Sequence, residues 1–272
     1  MRKLLRANLY RLRRSRALWL CAAASFAFSA FSLYRLSPDD EQITTFEMAI
    51  LQIFPFFPLF YGTFSGLFLG VEYQDGTLRN KLIAGHSRWN VYLSAQVTVI
   101  AGCFIIVLAW ILGSAVIALP LGRFKLGGGV ELLLNVALVL MLTAAEAAFL
   151  TLLAMLIPNR ATSAVVSILA MLGLIAIGSI VYNALCEPEL MSGAILTPHG
   201  IEIGEPSPNP YYVSGTLRKI YQLIIDAFPS GQAVLLANQE LMHPIFSLCA
   251  SFEIVLITSI AGVVCFGRKD LK

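Results

Sequence analysis

Six runs of predominantly apolar residues, each twenty or more positions long, alternate with shorter polar stretches along the chain: Ala17–Leu36, Met48–Val71, Ala95–Leu119, Leu132–Ile157, Thr162–Cys186 and Pro244–Phe266. About twenty apolar residues carry a helix across the hydrocarbon core of a bilayer, so the pattern predicts six transmembrane helices. Alternating ten-residue segments of the barrel type are absent, and only helices or closed barrels satisfy the backbone in lipid. The predicted fold class is therefore an all-α membrane protein, with residues 1–272 forming a single transmembrane domain. The first run reads as a retained anchor, because it is too long for a signal-peptide core and no small-residue cleavage site follows it.

The polar stretches carry patterns of their own. Residues 1–16 set Leu5, Leu9 and Leu12 at helical spacing among arginines, which predicts an interfacial helix leading into span one. Residues 72–90 carry Glu72, Asp75, Arg79, Lys81, His86 and Arg88, with Leu78, Leu82 and Ile83 among them. That mixture predicts a short amphipathic helix along the membrane surface, tied at both ends to spans and suited to pass a push from a soluble partner. Span two contains Pro55 and Pro58, which lack backbone donors and should break the helix near its middle. Gly62, Gly66 and Gly70 follow as two overlapping small-xxx-small repeats, read first as helix packing within the chain and second as a dimer contact.

Residues 187–243 form the one long connecting segment. Its first part, through Pro210, is rich in Pro, Gly and Glu and reads as an irregular loop. Its second part sets Leu217, Ile220, Tyr221, Ile224, Ile225 and Phe228 at three- and four-residue steps. Pro229-Ser-Gly231 should then break that helix before a second short one over 232–241. A helical hairpin dipping into the outer face of the membrane domain is expected.

Charge sets the orientation. With the N-terminus placed in the cytoplasm, cytoplasmic segments hold fourteen of the 19 Lys and Arg residues, and external segments hold eleven of the 16 acidic ones. The net charge of +3 is thus a topology signal and not a nucleic-acid footprint; the leading arginines also suit anionic lipid headgroups. Charged residues make up 13% of the chain, about half the share of a soluble domain. The five cysteines fall in or beside spans with no ligand or disulfide spacing and read as small apolar filler.

Catalytic signatures are missing. No phosphate-binding G-x-x-x-x-G-K-[ST] loop occurs, the three histidines lie in separate segments, and no nucleophile elbow is present. The expectation is a protein that is not an enzyme and holds no metal or cofactor of its own. Two acids do lie inside spans, Glu146 in span four and Glu253 in span six. Facing lipid, each would cost about 2–3 kcal/mol or more at the bilayer centre. They must face protein or a cavity, either lining a substrate path or anchoring helices to one another.

The run EYQDGTLRNKLIAGHSRWNVYLS after span two resembles the matching segment of ABC-2 type permeases, the membrane half of bacterial ATP-driven exporters, and among them those of bacitracin and lantibiotic resistance. The Glu-x-x-x-Gly-Thr core is met by Glu72, Gly76 and Thr77, and the basic continuation by Arg79, Lys81 and Arg88. Phe266-Gly-Arg-Lys-Asp-Leu271 is similar to the family's closing pattern, whereas Gln96 stands where many relatives carry a lysine. The resemblance implies a multi-pass subunit of the bacterial cytoplasmic membrane with both termini inside. It further implies a second permease subunit, as homodimer or heterodimer, and separate ATPase subunits that bind ATP-Mg. Residues 72–90 and the leading helix would be the ATPase-coupling parts. The implied cargo is hydrophobic or amphipathic: a peptide, an antibiotic or a lipid-like molecule. The competing reading is an ATP-independent secondary transporter or channel built on Glu146 and Glu253.

Overall fold

A computed structural model of the protein describes residues 1–36, 45–121, 128–192, 194–197, 200–203, 206–241 and 243–269. Its helices are α1 (Arg2–Arg13), α2 (Arg16–Leu36), α3 (Phe46–Leu51), α4 (Pro58–Gln74), α5 (Thr77–Ile83), α6 (Arg88–Leu121), α7 (Gly129–Leu156), α8 (Arg160–Cys186), α9 (Gly215–Ala227), α10 (Pro229–Ala237) and α11 (Pro244–Arg268). Among the described residues α2, α6, α7, α8 and α11 are each long and apolar enough to cross a membrane, and two bent helix pairs raise the number to as many as seven.

The first bent pair is the second apolar run. A 3-10 turn over Phe54–Phe56 follows α3, and α4 leaves it at 50°. Pro58 sits in the first turn of α4, where its missing N–H costs nothing, while Pro55, four residues after Leu51, prevents α3 from continuing. Aromatic packing fills the break: Phe54 stacks on Trp110 of α6 with centroids 5.4 Å apart, and Phe57 lies 4.6 Å from the same ring. Trp110 is buried.

Three helix pairs supply most of the framework: α2 with α6, α4 with α8, and α7 with α11. Small residues let them approach. Gly113 of α6 lies under the Phe26 carbonyl of α2, and the Ser25 and Ser29 hydroxyls donate to the Ile106 and Trp110 carbonyls at 3.1 and 2.9 Å. In lipid such packing and interhelical hydrogen bonds replace the hydrophobic effect as the adhesive. Gly62, Gly66 and Gly70 face α8. A Cβ at these positions would meet Ser167 O at 3.0 Å, Ala164 Cα at 2.5 Å and Arg160 Cα at 2.6 Å.

The long segment before α11 differs from the irregular loop expected of its first part. Leu190–Met191 pairs antiparallel with Ser207–Pro208, and Ala194–Thr197 with Gly200–Ile203. Runs of two to four residues are too brief for alternation to show. The helical hairpin is present as α9 and α10, bent by 90°. The break falls at Phe228, one residue earlier than expected, because Pro229 opens α10 instead of merely ending α9.

Close approach needs glycine at this corner: a Cβ on Gly231 would meet the Ile225 carbonyl at 2.5 Å. Gln232 fixes the angle, its Nε2 donating to Asp226 O at 2.7 Å while its Oε1 accepts from Ser251 Oγ of α11 at 2.8 Å. Residues Ser230–Leu236 of α10 are buried, packed on α8 and α7.

Candidate functional site

The polar segment 72–90 is divided by the structure into three parts. Glu72 closes the last turn of α4, Gly76 turns the chain with φ 64°, and α5 runs only from Thr77 to Ile83. A left-handed φ of this kind is natural for glycine, so Gly76 sets the angle between the two helices. The Thr77 hydroxyl donates to the Glu72 carbonyl across the turn at 3.2 Å. Arg88 already belongs to α6, which begins seven residues before the apolar run it carries.

Glu72 is fully buried and is the hub of a charge cluster. Its carboxylate pairs with Arg11 of α1 and accepts from Lys81 Nζ of α5 at 2.6 Å. Lys81 also donates to Asn8 Oδ1 at 2.9 Å, and Asn8 Nδ2 donates to Ser94 Oγ of α6 at 3.3 Å. The Arg11 guanidinium lies over the Phe68 ring, 4.1 Å from its centroid. Burial holds both the Arg11 guanidinium and the Lys81 ammonium below their ordinary ranges, and the adjacent Glu72 carboxylate pulls each back upward. One carboxylate thus draws three helices, α1, α4 and α5, onto a single point, and Asn8 carries the network on to α6.

This arrangement corrects two details of the sequence pattern. The inward face of α1 is Leu4, Asn8 and Leu12, with Leu9 left 40% exposed, because Asn8 is drawn to Lys81 and Ser94. On α5, Leu78 is buried while Ile83 is 74% exposed, so Ile83 lies with the polar side. Glu72 and Lys81 face inward; Asp75, Arg79, Asn80, Ile83 and Trp89 are among the side chains this segment presents outward.

Arg88 and Lys269 brace the same end. Arg88 Nη1 donates to the Phe266, Gly267 and Lys269 carbonyls, covering the C-terminal end of α11, at 3.3 and 3.2 Å for the first two. Lys269 Nζ donates to the Met155 and Leu156 carbonyls at 3.1 and 3.0 Å, the exposed end of α7, and to Tyr73 Oη at 2.9 Å. Cations on the last carbonyls of a helix satisfy orphan acceptors and complement the helix dipole. Gln96 is joined to Ser259 of α11, donating through Nε2 at 2.7 Å.

Deeper in the domain, Glu146 of α7 and Glu253 of α11 line one cavity of about 390 Å3. Its other walls come from α8 and the α9–α10 corner. Glu146 is buried and its Oε2 has no hydrogen-bond partner, whereas Glu253 is exposed. Asn8 and Lys269 were not singled out as site residues from the sequence. Asn8 had a signal, a neutral polar residue at four-residue steps from Leu4 and Leu12. Lys269 lay within the closing pattern Phe266–Leu271, but its partners, two backbone carbonyls of α7 and the Tyr73 hydroxyl, carry no sequence signal.

The fold and this braced polar end define a multi-span helical membrane protein whose largest polar cluster gathers at one end of the bundle. A family model described as ABC-2 family transporter protein matches residues 4–180, so the chain belongs to that family. No curated protein matches the chain. It is a multi-pass membrane component of a transporter, of a family whose members work with ABC ATPases.

Proposed function

We propose that the chain is the permease subunit of an ATP-driven exporter, moving a hydrophobic or amphipathic molecule out of a bacterial cell. In this reading α2, the broken α3–α4 pair, α6, α7, α8 and α11 are the six spans. Both termini face the cytoplasm, and α9–α10 enters the membrane from outside without crossing it. Two permease subunits combine with two ATPase subunits that carry the ATP-Mg sites.

The observation that carries the reading is the braced end of the bundle in a chain of this family. A seven-residue helix alone is too short to transmit force, since helices of that length are unstable on their own. Here α5 is tied through Glu72 to α4 and α1, so a load on its outer face reaches the spans. Arg79 is exposed and supplies a charge for docking an ATPase, while Glu72, Gly76, Thr77 and Lys81 hold the docking helix in place. Arg88 joins this end to α11.

The test is co-expression with ABC ATPases of the source genome, any encoded beside the gene first, then affinity purification through the permease. Co-purification and substrate-stimulated ATP hydrolysis are expected, and Arg79→Glu should weaken association while leaving membrane insertion unchanged. Failure of any ATPase to associate would overturn the exporter reading and favour an ATP-independent transporter.

A further inference from the structure

The cavity between α7, α8, the α9–α10 corner and α11 identifies a ligand class, an inference that rests on the exporter reading above. Its volume of about 390 Å3 falls within the range of small-molecule sites, roughly 300–1,000 Å3. Phe149, Met171, Leu174, Ile254 and Ile257 make it an apolar enclosure suited to an aromatic or aliphatic body. Into this lining the chain places two ionisable side chains, both carboxylates, and no cation.

Glu146 is 4% exposed, and its Oε2 is buried with no hydrogen-bond partner. A helix anchor would have a partner in the chain. Among the described residues no donor reaches that oxygen, and the Tyr61 and Thr143 hydroxyls are joined to each other at 3.4 Å. A buried carboxyl group left unsatisfied costs several kcal/mol unless something completes it. Glu253, exposed on α11, supplies a second acid on the same cavity wall.

We propose that this cavity binds a lipophilic organic cation, its apolar body against the Phe149–Met171–Ile254 lining and its charged centre against Glu146, with Glu253 as the counter-charge met on entry. The lining offers an anion no donor besides the Ser230 and Thr258 hydroxyls and the backbone, so selection by charge follows from the side chains present.

Tetraphenylphosphonium and tetraphenylborate share shape and size and differ in sign, which isolates the charge. Equilibrium binding of each is measured on the purified permease alone, in phosphatidylcholine nanodiscs, with empty nanodiscs subtracted. Saturable binding of the phosphonium, preferred over the borate by about tenfold or more, is expected from one well-placed buried counter-charge. Glu146→Gln should weaken phosphonium binding about tenfold, and Glu253→Gln about two- to threefold because Glu253 is met on entry and is less enclosed than Glu146. Each should leave the residual borate signal unchanged or raise it, because a charge that repels the anion is removed, and neither should lower it.

Absence of saturable phosphonium binding, equal affinity for the two ions, or an unchanged Glu146→Gln variant would each overturn the site. Should Glu146→Gln fail to give folded protein, Ile257→Trp, at an exposed lining position, must reduce phosphonium binding, and no reduction would overturn the site equally. The assay contains no ATPase. Cation binding together with failure of every ATPase to co-purify would sink the exporter reading and keep the site; ATPase co-purification without cation binding would do the reverse.

Discussion

Replacing Glu72 by Gln removes one charge from the point where α1, α4 and α5 meet. The fold would be left with Arg11 and Lys81 both facing a neutral amide, 29% and 16% exposed at their side chains. Removing one member of a fully buried ion pair costs about 3–5 kcal/mol, and of a surface pair about 1 kcal/mol or less. The carboxylate is dry and its partners are only partly so, which sets the expectation between the two ranges, about 2–3 kcal/mol. On the scale of domains of 150–250 residues, that lowers the thermal midpoint by about 5–10 °C.

Thermal unfolding in nanodiscs followed by tryptophan fluorescence measures it. A cycle pairing Glu72→Gln with Lys81→Met assigns the loss to the contact itself. Residues sharing one ion-pair network should couple by about 1–2 kcal/mol, so the double variant should be less destabilised than the sum of the single ones. A midpoint unchanged within 1–2 °C in Glu72→Gln, or strict additivity in the cycle, would refute the claim that Glu72 holds α5 to the spans.

Three other outcomes follow from the packing. Cysteines placed at exposed Asn80 and Tyr211 of a cysteine-free variant should label from opposite sides of the membrane, Tyr211→Cys in intact cells and Asn80→Cys only after permeabilisation; the reverse pattern contradicts the orientation. Gly66→Ala drives a methyl group to 2.5 Å from Ala164 Cα and should destabilise the α4–α8 contact by about 1–3 kcal/mol, read as a lower thermal midpoint and yield, and an unchanged midpoint would contradict the close crossing. Gln232→Ala removes both hydrogen bonds at the α9–α10 corner, leaving Asp226 O and Ser251 Oγ without that partner; a loss of about 1–3 kcal/mol and faster proteolysis within 206–241 are expected, and equal protease resistance would show that the corner is held otherwise.

What could be read from the sequence divides by the range of the physics. Apolar run length and the two prolines act locally, so helical spans and the 50° break after Phe56 were legible. The 90° corner was legible to within one residue because Pro229 signals both an end and a beginning. The strand pairs at 190–208 were not, since pairing of two- to four-residue segments is decided by contacts across the loop. Charge density pointed to residues 72–90 but could not tell inward from outward side chains. Glu72 lies nine residues from Lys81 and sixty-one from Arg11, separations at which no helical periodicity operates. The pairing of Glu146 with Glu253 in one cavity likewise needed the fold, because α7 and α11 are brought together only by the packing of the bundle.

The two polar sites are linked by elements they share. α4 carries Glu72 in its last turn and begins on Pro58, and Pro58 lines the cavity that holds Glu146 and Glu253. Lys269, at the foot of α11, holds the end of α7, and these are the two helices that carry the cavity acids. A helix with a fixed foot and a broken upper joint tilts as a lever, and the break at Phe57 is where such a tilt is absorbed without unpairing the interior of α4. The glycine face on α8 keeps the lever close to its neighbour, with no side chains between the backbones to cushion a displacement. A push on α5 would therefore be felt at Pro58, on the cavity wall. Because coupling between sites is reciprocal in free energy, a ligand that favours one position of that wall must also favour one position of α5.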